Sequence, residues 1–174
     1  MRRIACLLVA AAAAVGAPSA AQGAEIFGGA YVHDIDSPLS ISGVEKGADI
    51  QIGWRGGRFG RTPIQPYVYG SVHTAGKTHF AAAGLSARFG RQIYIRPGVG
   101  VAVHTGSAKD FQDPTNDEIE FGSRILFAPE LGIGAHINDR VSVEASWIHL
   151  SHAQRFGRQN PGMDSVGVRV NVGF

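Results

Sequence analysis

Residues 165–174 read SVGVRVNVGF, and the reading of this stretch decides the fold. Val166, Val168, Val170, Val172 and Phe174 fall on one side; Ser165, Gly167, Arg169, Asn171 and Gly173 fall on the other. Such a two-residue period places one set of side chains on each face of a β-strand. The same alternation appears upstream. Val141, Val143, Ala145 and Trp147 oppose Ser142, Glu144 and Ser146, and Ile93, Ile95, Pro97, Val99, Val101 and Val103 oppose Tyr94, Arg96, Gly98, Gly100, Ala102 and His104. Between these segments, Ile119, Phe121, Ile125, Phe127, Leu131 and Ile133 are expected on one face of a further strand, with Glu120, Arg124, Glu130 and His136 on the other. A bulge is expected at Pro129, because proline cannot donate to a ladder.

Weaker segments, EIFGGAYVH, ADIQIGW, PIQPYVYGSV and HFAAAGLSARF, bring the total to about eight strands, near the minimum for a closed up-and-down barrel. No segment sustains the 3.6-residue period of an amphipathic helix. The second face of each strand carries Gly, Ala and Ser with isolated Arg and Glu, which suits a narrow lumen better than the charged exterior of a soluble sandwich. Arg96, Arg124, Glu130, Glu144 and Arg169 are therefore predicted to point inward, as ion pairs that plug the barrel rather than line a channel. The apolar face then meets lipid, and closure removes every unpaired edge. A terminal aromatic, Phe174, on an alternating strand resembles the assembly signal of bacterial outer-membrane proteins. The predicted fold is all-β, an eight-stranded antiparallel up-and-down transmembrane β-barrel. Both termini are expected on the periplasmic side, with long extracellular loops near residues 34–48, 73–78, 104–118 and 152–163 and short turns near 55–61, 90–91 and 137–139.

The amino terminus reads as a secretory signal peptide. Arg2 and Arg3 precede an apolar run from Ile4 to Val15, followed by small residues in APSAAQGA. That run is short of the ~20 residues a spanning helix needs. Residues 1–23 are assigned to the leader, with cleavage after Ala21 or Gly23, and residues 24–174 to one barrel domain. Two of the 16 Lys and Arg lie in the leader and all 14 acidic residues lie after it, so the mature chain has a formal net charge of zero. It carries no basic patch that would call for nucleic acid. The only cysteine, Cys6, leaves with the leader, which removes disulfides, thiolate zinc sites and a thiol nucleophile from consideration.

Chemistry concentrates at the end of the chain, in WIHLSHAQRFGRQNPGMD at residues 147–164. The lipid-facing series Val141, Val143, Ala145, Trp147 continues into His149 and Ser151 near the extracellular end of the seventh strand. Asp164 opens the lipid-facing series of the eighth, its hairpin neighbour. A serine hydroxyl needs a base to take its proton, and a histidine base works best when a carboxylate fixes its tautomer. Because the three residues point at lipid, the expected substrate is an ester within a membrane lipid. A metal pair of His149 and His152 is excluded by their opposite faces. No metal or other cofactor is expected.

This stretch resembles the outer-membrane lipid A 3-O-deacylase family, whose pattern is His-x-Ser near the end of the penultimate strand, a loop with Asn and Gly, and an acidic residue opening the last strand. Here it reads His149-Leu150-Ser151 and then Asn160-Pro161-Gly162-Met163-Asp164. The resemblance implies Ser151 as nucleophile, His149 as general base and Asp164 as orienting acid, with calcium-independent hydrolysis of the acyl ester at position 3 of lipid A. Two departures stand out. The family's acid is usually Glu, one methylene longer than Asp164, and the serine is often followed by Asn where this chain has His152. Asn160 is a candidate oxyanion-hole donor, with the backbone N–H groups of Ala153 and Gln154 as alternatives.

His33, His73, His79, His104 and His136 read as lumen, loop or interface residues. The glycines of GVGVAVHTG precede no helix, so a nucleotide-binding reading fails. The acidic run DFQDPTNDEIE reads as a solvated outer loop. Two other functions remain open from the residues: a non-enzymatic small barrel serving adhesion or envelope integrity, and an acyltransferase in which a lipid hydroxyl resolves the acyl-enzyme. Partners are lipid A or lipopolysaccharide, the outer membrane and a second copy in a homodimer that could bury or complete the site.

Overall fold

The computed structural model describes residues 23–40, 43–113, 115–155 and 158–174. The proposed leader, Cys6 included, lies outside the described residues apart from its last position. Eight antiparallel strands form the wall: β1 (Glu25–His33), β2 (Gly47–Arg55), β3 (Ile64–His73), β4 (Phe80–Ala87 continued by Phe89–Gly90), β5 (Ile93–His104), β6 (Ile125–Phe127 continued by Glu130–His136), β7 (Val141–Leu150) and β8 (Met163–Gly173). Each strand pairs with its chain neighbour, β4 pairs β5, and β8 pairs β1, so the sheet closes on itself.

The registers fix the barrel's shape. Following directly opposed residues from Tyr94 on β5 leads through Gly134, Glu144, Arg169, Gly29, Gln51, Ser71 and Phe80 back to His104 on the same strand. One circuit therefore advances ten residues, which imposes a strand tilt on the order of 35–45°.

Alternation is obeyed along nearly the whole wall. Ile50, Ile52, Ile93, Ile95, Val99, Val101, Ile133, Val168 and Val170 are among the large apolar side chains exposed on the outer face. Their inward neighbours are buried. Arg96 donates to Glu144 at 2.8 and 2.6 Å and also pairs with Glu130. Arg169 reaches Glu130 at 3.2 Å, Ser146 at 2.9 Å and the Tyr31 hydroxyl at 2.6 Å, and lies 4.8 Å from the Phe27 ring centroid. Arg88 and Arg55 both pair with Glu25. Each of these arginines has an opposite charge, and Arg96 and Arg169 bond two acceptors or more, the condition under which an ion pair survives burial.

Three expectations change at the level of single residues. Arg124 does not enter the lumen; it is exposed, and its guanidinium donates to the carbonyls of His104 and Gly106. Ile119 and Phe121 do not face lipid. Both precede β6 and are buried with Val44, Leu126, Ala128, Ile148, Leu150 and Met163, where they close the mouth of the barrel over its polar interior. Pro129 interrupts hydrogen bonding without a bulge. Phe127 opposes Ser151, Glu130 opposes Ile148, Val101 opposes Phe127 and Gly98 opposes Glu130, so no residue is inserted against either neighbour.

Four loops leave the end where β1, β3, β5 and β7 finish, and the longest spans residues 105–124. Glu45 ties several of them together. Its carboxylate accepts from Thr78 N at 2.9 Å and Ile119 N at 3.0 Å and lies 3.5 Å from His33 Nε2, which itself is backed by Asp49 at 2.9 Å.

Candidate active site

The β7–β8 hairpin brings His149 and Asp164 directly opposite each other. His149 Nδ1 lies 3.0 Å from Asp164 Oδ1. An ionised carboxylate only accepts, so Nδ1 carries the proton and Nε2 keeps its lone pair, the tautomer a general base requires. The Trp147 indole N–H donates to the same oxygen at 2.7 Å, and its ring stacks with the imidazole at a 6.0 Å centroid separation and 22° between planes.

Ser151 stands two residues beyond His149. Its backbone exchanges both hydrogen bonds with Phe127, at 3.1 and 2.7 Å. Directly opposed residues share a face, and Phe127 is exposed outward, so Ser151 takes the outward side together with His149. Among the described residues no hydrogen bond joins the Ser151 hydroxyl to the imidazole; alternate positions on one strand are about 6.6–6.8 Å apart at their backbones, and such contacts often tighten only when substrate is bound.

These side chains have the outward parity that the sequence assigns, but they are sheltered rather than bare. His149 is 9 % exposed, Ser151 8 % and Asp164 0 %. The cover is the first loop, which continues the pairing of β1 with β8 through Ile35 N to Asp164 O at 2.8 Å and then folds over the carboxylate, where Ser37 donates to Oδ2. Gly162 packs on the other side: its φ is +67°, and a Cβ there would lie 3.1 Å from His149 Cε1 and 3.4 Å from the Leu39 carbonyl.

The loop after β7 begins with a tight turn. Arg155 N bonds His152 O at 2.9 Å, and Ala153 and Gln154 take φ of +51° and +55°, the type I′ geometry. Non-glycine residues adopt it at a cost of about 1–3 kcal/mol each. Asn160 Oδ1 accepts from His152 N at 2.9 Å, which leaves Nδ2 as the group Asn160 can donate. His152 is fully buried and turned toward Gly122 of the third loop, on the side opposite Ser151.

Two other groupings lie elsewhere. A cleft of about 640 Å³ among the loops above β2 to β5 is lined by Lys46, Lys77, Gln112, Asp113, Asn116 and Asp117, away from the hairpin. His33, Asp49 and His73 converge within 4.8 Å. His73 Nδ1 accepts from the backbone N–H groups of Ala75 and Lys77 at 3.2 and 3.3 Å, so in the neutral ring Nε2 carries the proton and does not suit a metal ion.

Sequence reasoning missed Ser37 and Ser40, and it named Gly162 only as part of the loop pattern, with no role at the histidine. Nothing in the local pattern of SPLS at residues 37–40 points to a carboxylate 127 positions away from Ser37.

Fold and hairpin together define a small closed barrel of the outer-membrane type with a hydrogen-bonded histidine–aspartate pair at its outer rim. The family model for lipid A 3-O-deacylase (PagL) matches residues 47–172. The chain belongs to that family, whose activity is ester hydrolysis on lipid A. In structure it is similar to the outer-membrane enzyme PagL, with a TM-score of 0.54 and 16 % identity over 86 % of this chain and 99 % of that one. It is similar to Neisserial surface protein A, with a TM-score of 0.59 and 13 % identity over 87 % and 97 %. A designed transmembrane β-barrel shares the fold with a TM-score of 0.53 and 8 % identity over 90 % and 100 %. No curated protein matches it in sequence.

Proposed function

We propose that the protein is exported by the leader at residues 1–23, inserts in the outer membrane and removes the 3-O-linked acyl chain of lipid A in the outer leaflet through Ser151, His149 and Asp164. Ser151 Oγ attacks the ester carbonyl while His149 Nε2 takes its proton. The tetrahedral intermediate collapses, the C–O bond to the sugar breaks, and the proton passes from His149 to the departing sugar oxygen. Water, activated by the same imidazole, then releases the fatty acid and regenerates the serine. Asp164 keeps Nδ1 protonated and stabilises the imidazolium. The oxyanion is received by Asn160 Nδ2 or by the N–H groups of the strained Ala153–Gln154 turn.

The observation that carries this reading is the 3.0 Å bond between His149 Nδ1 and Asp164, with Ser151 on the same outward face next to Phe127. That face is the one the bilayer reaches, so an acyl chain meets the serine without leaving an apolar surface. The test is mass spectrometry of lipid A from cells expressing the protein. Wild type should release one ester-linked hydroxy-acyl mass, and Ser151→Ala should leave lipid A intact while still showing heat-modifiable migration of a folded barrel. Loss of the acyl chain with Ser151→Ala would overturn the assignment.

A further inference from the structure

The Asp164 carboxylate is fully buried, yet its own strand and its hairpin partner satisfy only one of its oxygens. Oδ1 receives the Trp147 indole N–H and His149 Nδ1. Oδ2 is held from across the barrel seam by the first loop. Ser37 Oγ accepts from Leu39 N at 3.0 Å, which turns its hydroxyl proton to Asp164. Ser40 Oγ lies 3.4 Å from Ser37 Oγ and adds a hydrogen bond of its own to the carboxylate.

The loop is built to hold these hydroxyls in place. Ile35 extends the β1–β8 pairing to Asp164 O, Ser37 and Ser40 bridge each other's backbone, and buried Asp34, at φ +51°, receives Gly43 N at 2.9 Å and Glu45 N at 2.8 Å at the loop's return. A carboxylate rotates readily about its terminal torsion. Donors on Oδ2 fix the rotation and leave Oδ1 aimed at His149.

We propose that Ser37 and Ser40 are positioning residues of the active site: the first loop, and not the β7–β8 hairpin alone, completes the acid–base relay. This rests on the triad reading above. The serines bond to each other and to the carboxylate, and they act through Asp164. Their loss should therefore lower turnover without weakening substrate binding.

The test uses the full-length mature protein in detergent micelles with lipid A as the probe. Ser37→Ala/Ser40→Ala should lose about tenfold to a hundredfold in kcat, the effect of removing hydrogen bonds to a charged group, with KM changed less than about twofold. Ser37→Thr/Ser40→Thr, which keeps both hydroxyls, should recover most of kcat. Wild-type kcat in the alanine double variant, or a loss that threonine does not recover, overturns the proposal. Ser151→Ala assayed alongside separates the two failures: full activity there sinks the triad itself, whereas an inactive Ser151→Ala beside an unimpaired serine-loop variant sinks the positioning role alone.

Discussion

At the scale of single residues, the site depends on contacts that allow little displacement. Gly162 faces His149 Cε1 at a distance a Cβ would reduce to 3.1 Å, and its φ of +67° is one that other residues adopt with strain. Gly162→Ala should push the imidazole off Asp164 and lower kcat by about tenfold or more, with a stability loss of roughly 1 kcal/mol from the backbone. Turnover on lipid A micelles and the urea midpoint of the same preparation would check the two parts separately. Hairpin parity put His149 and Asp164 on the same face of neighbouring strands, and the observed register sets them directly opposite each other. Their burial was not legible. It comes from Ser37 and Leu39, and only closure of β8 against β1 brings those residues to the far end of the chain.

At the scale of elements, the strands were legible wherever one face was uniformly apolar, and misread where loop residues copied the pattern. Ile119 and Phe121 continue the alternation of β6 backwards into the third loop, yet they are buried against the apolar cluster of Leu126, Ala128, Ile148 and Leu150, and the Phe121 ring lies 4.4 Å from that of His104. Arg124 follows from the same shift, since it precedes the first residue of β6 and meets solvent and backbone carbonyls instead of the lumen acids. Pro129 shows the opposite case. The sequence rule that proline interrupts a ladder holds, but the interruption costs one donor and no register. His149 N donates to Pro129 O at 3.0 Å, and the reciprocal bond is the one proline cannot make. Pro129→Ala should leave the barrel folded and gain about 0.5–1.5 kcal/mol from the added bond, read as a higher urea midpoint in detergent or vesicles. A fall in stability would mean that the ring's packing outweighs the missing hydrogen bond.

At the scale of the whole molecule, the loops and the wall are joined through Glu45. Burial alone would raise its carboxyl, but hydrogen bonds from His33, Ile119 N and Thr78 outweigh that and bring it down to about 2. A depressed folded value means that the stabilisation is present above the ordinary carboxyl value of 4.5 and is lost as pH falls from there through about 2. The loop cap should therefore loosen between pH 4.5 and 2 while the strands stay paired. Protease nicking of the loops that follow β1, β3, β5 and β7 at graded pH should rise across that window in wild type. In Glu45→Gln the loops should be nicked more readily at neutral pH and show little further change on acidification.

The ion pairs of Arg96, Arg169, Glu130 and Glu144 have a consequence that reaches beyond folding. They link β5, β6, β7 and β8 through the centre of the tube, so a polar solute entering from either end meets side chains already bonded to one another. Passage would require those pairs to separate, and an uncompensated buried charge costs about 3–5 kcal/mol.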